Sequence, residues 1–94
     1  MATDSYVSHL KERLAKNNAD ITRLEERLQS ADEPDKARAI AQLVQCRQRH
    51  DTLAERIARA ETEGADDWSA LHESFRDEAD AISDTLARWL NRLD

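Results

Sequence analysis

Apolar residues recur along the first third of the chain at alternating intervals of three and four positions. This spacing places the side chains on one face of an α-helix, as in the seam of a coiled coil. A helix with such a face must bury it against other helices. The seam consists of Val7, Leu10, Leu14, Asn17, Ile21, Leu24, Leu28 and Ala31.

Two short segments rich in turn and capping residues interrupt this pattern. The first contains Pro34, which lacks a backbone N–H and is tolerated only in the opening turn of a helix. The second contains Gly64, which can take the left-handed conformation that ends a helix, followed by Asp66 and Asp67, either of which can cap the next one. The breaks predict three helices, over about Asp4 to Ser30, Pro34 to Glu63 and Asp66 to Arg92.

The second and third helices carry apolar seams of their own. The second runs through Ala39, Leu43, Cys46, His50, Leu53, Ile57 and Ala60, and is widened by Ile40, Val44 and Ala54. The third runs through Trp68, Leu71, Phe75, Ala79, Ile82, Leu86, Trp89 and Leu93, with Leu90 left as exposed apolar surface.

Short connections place consecutive helices antiparallel. The fold predicted for residues 1–94 is therefore one all-α domain, an antiparallel up-down-up three-helix coiled-coil bundle. An extended hairpin that dimerises, or a bundle that exchanges its third helix between two chains, satisfies the same seams.

Three large aromatic residues of the third helix are predicted core anchors. Trp68 and Phe75 are expected to hold the third helix against the end of the first, and Trp89 to pack near Tyr6 and Val7. Aromatic side chains bury large areas and dominate the energetics of small cores.

One layer of the predicted core is polar. Counting inward from the two turns puts Asn17, His50 and the small Ala79 at about the same height, where an Asn17–His50 hydrogen bond and a water would fit. Such a layer is either a buried ligand or metal site, or a device that penalises misaligned helix pairing. We favour the second interpretation, because buried polar groups normally find partners without any wider role.

Two further places in the sequence carry residues that can ligate a metal ion. Cys46 and His50 stand one helical turn apart, but two ligands are too few for a structural zinc site. Glu73, Asp77, Asp80 and Asp84 share one face of the third helix, which is more often solvated or paired with arginines than occupied by a cation. No catalytic or cofactor-binding motif is found. The sequence therefore predicts no enzyme, no cofactor and no metal.

Composition and charge narrow the class of partner. The chain has one glycine, one proline and 36% charged residues, and its net charge of −6 repels nucleic acid. It offers no run of about 20 apolar residues, and a lone Cys46 suits a reducing compartment, so we expect a cytoplasmic protein. Contact with lipid headgroups is the alternative, through a short amphipathic end of the third helix. This end consists of Leu86, Trp89, Leu90 and Leu93 with Arg88 and Arg92.

Excess apolar surface favours self-association. Five residues flank the predicted seams and give more apolar surface than one three-helix bundle easily covers, which predicts a homodimer. These residues are Tyr6, Ile40, Val44, Leu86 and Leu90.

The start of the third helix is similar to a known pattern. The stretch from Gly64 to Leu71, continued by Phe75, Ala79 and Ile82, resembles the carboxyl-terminal helix of a family of small bacterial coiled-coil proteins. Members of that family are linked to stress responses and have no established biochemical activity. The resemblance implies a non-enzymatic helical protein. Together with the seams, it predicts a module that acts by contact with other proteins or by self-association. The alternative is a metal-binding or lipid-contacting helical protein that uses the acidic face of the third helix or its amphipathic end.

Overall fold

The computed structural model describes residues 2–30 and 36–93, and this part of the chain contains three α-helices. These are α1 (Ala2–Ser30), α2 (Lys36–Glu63) and α3 (Trp68–Leu93). Each helix packs against the other two, in a rod of 48 × 18 × 17 Å. The prediction of an all-α three-helix bundle is confirmed.

Ion pairs between α1 and α2 give the relative direction of these helices. Lys11, near the start of α1, pairs with Glu61 near the end of α2, with 3.5 Å between Nζ and Oε1. Glu25, near the end of α1, pairs with Arg47 in the first half of α2. The two helices therefore run antiparallel.

Contacts between α1 and α3 have the opposite pattern. His9 lies against His72, and Asn17 lies against Ala79, so positions increase together along both helices. The first and third helices are parallel to each other, and the chain follows the predicted up-down-up path.

The turn between α2 and α3 is built around Gly64. Its φ of +66° lies in the left-handed region that only glycine adopts without strain. The N–H of Ala65 donates to the carbonyl of Ala60 at 3.1 Å, and the N–H of Gly64 donates to the carbonyl of Glu61 at 3.3 Å. This pair of bonds is the Schellman motif that satisfies the last carbonyls of a helix. Gly64 therefore ends α2 as its sequence position predicts.

The start of α3 differs slightly from the prediction. Asp67 is the cap, because its Oδ1 accepts a hydrogen bond from the backbone N–H of Ala70 at 3.4 Å. The helix therefore begins at Trp68 instead of residue 66. The predicted proline turn at Pro34, and the last seam position Ala31, lie outside the described residues.

The buried side chains form one continuous apolar core along the axis of the bundle. The buried apolar residues are Val7, Leu10, Ile21, Leu24, Leu28, Ala39, Leu43, Cys46, Leu53, Ile57, Trp68, Phe75, Ala79, Ile82, Leu86, Trp89 and Leu90.

The burial of three residues beside the seams differs from the prediction. Ile40 and Val44 were expected to widen the buried stripe of α2, but they remain 43% and 48% exposed. Each lies about 100° around the helix from a buried neighbour, Ala39 or Leu43, and α1 and α3 do not reach that far. Leu90, expected to be exposed, is buried because it lies one turn beyond Leu86 on the same face.

The expected surroundings of two tryptophans were also wrong. Trp89 lies at the end of α3 that faces the start of α2, where it lines a groove with Arg38. The opposite end of the bundle holds Tyr6, whose ring is 4.9 Å from that of His72. Because Trp68 lies one turn before His72, it packs at the height of the start of α1 and not at its end. Parallel packing of α1 and α3 causes both differences.

Over the part of the chain that the structure describes, no helix combines the length and apolar character needed to cross a membrane.

Candidate functional site

The polar layer at mid-bundle, formed by Asn17, His50 and Ala79, lies at one height as counted from the sequence. Asn17 is 1% exposed, and its Nδ2 donates to the backbone carbonyl of Ala79 at 3.2 Å. His50 approaches from α2, with its Nε2 3.2 Å from the backbone carbonyl oxygen of Leu14. The expected Asn17–His50 hydrogen bond does not form, because each side chain is bonded to a main-chain carbonyl of a neighbouring helix.

The bond to Ala79 determines how the Asn17 amide is oriented. A carbonyl oxygen can only accept, so the atom that faces it must be the amide nitrogen. The amide oxygen Oδ1 is then left buried, without a hydrogen-bond partner among the described residues. A buried acceptor without a partner costs about 1–3 kcal/mol. Asn17 thus carries an energetic cost that an apolar residue would avoid.

A second polar contact lies next to this layer at the edge of the bundle. Arg13 on α1 forms an ion pair with Asp80 on α3, and both side chains remain partly accessible to water. The contact directly follows Ala79, so it closes the side of the polar layer between α1 and α3. Together these bonds tie one height of α1 to one height of each neighbouring helix. This arrangement suits a device that defines the register of the helices.

Replacing Asn17 with Leu tests that role. We expect the melting temperature to be kept or raised, because the change removes a buried acceptor that has no partner. We also expect the choice of oligomer to loosen, because an apolar layer no longer penalises misaligned pairing. Thermal unfolding and sedimentation velocity measure the two effects.

Asn18→Leu is the matched control, since Asn18 is the exposed neighbour of Asn17. It should change neither property. An Asn17→Leu variant with a single unchanged oligomeric species and lower stability would contradict a role in register and would favour a specific hydrogen-bonded site.

The geometry around Cys46 gives no sign of metal or redox chemistry. Cys46 is a free, buried thiol. Burial raises its pKa above the ordinary value, and the nearby Arg49 opposes this shift only in part. The thiol is therefore protonated at neutral pH, the form that is a poor nucleophile and a poor ligand. His50, one turn further on, is turned toward Leu14 and Asp51.

Two of the four carboxylates on the acidic face of α3, Asp77 and Asp80, form ion pairs with arginines, and Glu73 and Asp84 are exposed. Asp80 pairs with Arg13 of α1, and Glu78 pairs with Arg49 of α2. Asp77 pairs with its neighbour in sequence on the same helix. Within residues 2–30 and 36–93, no group of three or more His, Cys, Asp or Glu side chains is arranged to hold a metal ion. Among the four carboxylates of this face, Asp80 holds α3 against α1.

The three predicted anchors are all buried. Trp68 and Phe75 lie in the half of the bundle that contains the Gly64 turn, and Trp89 lies at the other end. The guanidinium of Arg56 covers the ring of Phe75, 5.5 Å from its centroid. Three apolar residues of the amphipathic end belong to the core: Leu86, Trp89 and Leu90. Because these side chains are buried, they are not exposed for contact with lipid.

A further polar cluster joins the starts of α1 and α3, and sequence reasoning missed it. His9 Nδ1 and His72 Nε2 are 2.9 Å apart, and the ring of Tyr6 lies against that of His72. The pKa of His72 is lowered from its ordinary value, first by partial burial and then by the positive charges of His9 and Arg76. The two histidines line an open groove of about 530 Å³ with Tyr6 and Ser5.

The proximity of His9 and His72 could have been predicted from the height of each histidine along its helix. Residue 9 belongs to a helix that ends at Ser30, and residue 72 to a helix that ends at Leu93. The two positions are equally far from these ends. In two parallel helices of an up-down-up bundle, equal heights bring side chains on facing surfaces together.

Comparison with known proteins adds no relative: the chain matches no protein-family model, and no curated protein or solved structure shows significant similarity to it.

Proposed function

We propose that this chain is a non-enzymatic, cytoplasmic helical module that acts by contact with protein chains, and that a second copy of itself binds along α2. The observation that carries the proposal is a pair of exposed apolar side chains on α2, Ile40 and Val44. Among the described residues they are the large hydrophobic side chains that the bundle leaves exposed. At the other described seam positions the apolar side chains are buried or partly buried.

The two residues belong to a longer surface that we call the α2 apolar face. It consists of Lys36, Ala37, Ile40, Ala41 and Val44. The alanines of this face are exposed and small, so they allow another helix to approach closely. A groove of about 300 Å³ beside the face reaches down to the core residues Leu28 and Leu43. The face thus combines protruding apolar side chains with an adjoining depression.

The length of α2 provides room for a dimer contact. Specific protein interfaces bury about 800 Å² on each partner, which is more than Ile40 and Val44 contribute. With 28 residues, α2 extends about 42 Å. A contact along the helix therefore extends beyond the two exposed side chains, and further small residues such as Ala58 lie on the same side.

Two-fold pairing of this face is chemically favourable. A two-fold axis makes the contact isologous, with the same face on both copies. If α2 packs antiparallel to α2 of the second copy, Ile40 meets Val44 in both directions. Lys36 of one copy then lies within one helical turn of Asp51 of the other. Opposite charges at both ends of an apolar contact are favourable, and Arg47, which also lies near Lys36 of the other copy, is already paired with Glu25 of α1.

The apolar surface available for the predicted homodimer contact is smaller than the sequence suggested. Leu86 and Leu90 are buried within the bundle, and Tyr6 is half-buried against the core. These residues do not contribute to the proposed contact, which rests on Ile40 and Val44. The resemblance of the Gly64–Leu71 stretch to stress-associated helical proteins supports a further element of the proposal, a role of the assembled protein under stress.

Light scattering at micromolar concentration tests the self-association. We expect a mass above the 10.8 kDa of one chain. The double variant Ile40→Lys, Val44→Lys should shift the mass to that of one chain, because four lysines of two copies would face one another across the contact.

The control variant is Gln45→Lys, Thr52→Lys, which adds the same charge to exposed positions on another side of α2. It should leave the mass unchanged, and circular dichroism should show that both variants remain helical. A native protein with the mass of one chain, or two variants with the same mass, would rule out the α2 apolar face as the dimer contact.

A further inference from the structure

His9 and His72 are held side by side by two different helices. The facing atoms, His9 Nδ1 and His72 Nε2, are 2.9 Å apart. Their ring centroids are 5.0 Å apart with 40° between the ring planes. Because α1 and α3 are parallel and packed together, this proximity is a consequence of the fold and not of one flexible segment.

We propose that His9 and His72 form a two-imidazole binding site for a divalent transition-metal ion, with Zn²⁺ as its probe. The ion binds between the two facing nitrogens and links α1 to α3. The proposal does not depend on the α2 apolar face, which lies on a different helix.

The distance between the nitrogens is close to that of a bidentate site. Zn–N bonds are about 2.0–2.1 Å long, which places two nitrogens of a tetrahedral site roughly 3.3 Å apart. The observed 2.9 Å requires an opening of a few tenths of an ångström. His9 is exposed and His72 is partly exposed, so small rotations of the side chains supply it.

The protonation of the pair is compatible with metal binding. In the hydrogen bond one neutral ring donates its N–H to the lone pair of the other. When that proton is transferred through solvent to the other nitrogen of the same ring, both facing atoms present lone pairs. Two neutral imidazoles then bind the ion without any net loss of protons.

The two imidazole ligands determine which ions the site prefers, and the open groove around them leaves coordination positions for water. Imidazole nitrogens suit zinc, copper and nickel, whereas magnesium and calcium require oxygen ligands. The groove of about 530 Å³ is open to solvent, so water fills the remaining positions. The ring of Tyr6 packs against His72 and limits its rotation, which helps to hold the pair in place.

Thermal unfolding in the presence of Zn²⁺ is the test. An ion that binds the folded state raises the melting temperature, by roughly 10 °C or more at about 100 times its Kd for a domain of this size. We expect this rise for the native chain and its loss in His9→Gln and in His72→Gln. Mg²⁺ at the same concentration should have no such effect.

The matched control is His50→Gln, which removes the remaining histidine of the chain. It should retain the full shift with Zn²⁺ relative to its own metal-free melting temperature. NMR of the native chain provides a second measurement, in which Zn²⁺ should perturb the imidazole signals of His9 and His72 ahead of that of His50.

Three results would overturn the proposal. One is the absence of any shift in melting temperature or imidazole signals up to about 1 mM Zn²⁺. Another is an equal response to Mg²⁺. The third is a shift that survives both single replacements, or one that disappears in His50→Gln, because the ion would then bind elsewhere.

Discussion

Replacement of Trp68 with Ala is expected to lower the free energy of unfolding by about 3–5 kcal/mol. Trp68 is 5% exposed and opens α3 directly after its capping residue, Asp67. The change leaves a large cavity where α3 meets the start of α1. Since domains of this size are typically stable by about 5–15 kcal/mol, much of the total would be lost. Urea unfolding followed by circular dichroism measures the change.

The double variant Glu73→Gln, Asp77→Asn is the control on the same helix. Both carboxylates are exposed, and the ion pair of Asp77 with Arg76 is accessible to solvent, so the free energy of unfolding should change by less than about 0.5 kcal/mol. If Trp68→Ala stays fully stable yet no longer self-associates, Trp68 is a contact residue and its role as a core anchor is wrong.

Replacement of Leu86 with Ala is the second large expected effect, about 2–5 kcal/mol. Leu86 is 0% exposed at the centre of the core, although the sequence also allowed it a place on an amphipathic surface. Removing three carbon atoms from a closed core loses their transfer free energy and leaves a cavity. The loss appears as a lower urea midpoint with an unchanged slope.

Ile40→Ala is the matched comparison, because it removes a similar apolar group from a side chain that is 43% exposed. At low protein concentration, where a dimer contact contributes little, it should cost less than about 0.5 kcal/mol. Equal losses for Leu86→Ala and Ile40→Ala at that concentration would show that the burial pattern described for α2 and α3 is wrong.

Three helices, and the place where α2 ends, follow from local chemistry. The intervals of the apolar seam determine which face of each helix is buried. A glycine that takes positive φ ends α2, and Asp67 is one of the two caps named in advance. The common height of Asn17, His50 and Ala79 followed from counting, since each helix rises about 1.5 Å per residue. Each of these properties follows from local sequence or from counting residues along one helix at a time.

Other properties depended on how the helices are rotated and offset against one another. That packing left Ile40 exposed and buried Leu90, although both lie beside a seam. It also gave Asn17 a carbonyl partner on α3 and brought His9 within hydrogen-bond distance of His72. The spacing of apolar residues along one helix does not determine the angle at which a neighbouring helix packs, and therefore which residues beside the seam are buried. The equal heights of His9 and His72 could be counted from the sequence, but that their side chains, 63 positions apart, face each other required the tertiary structure.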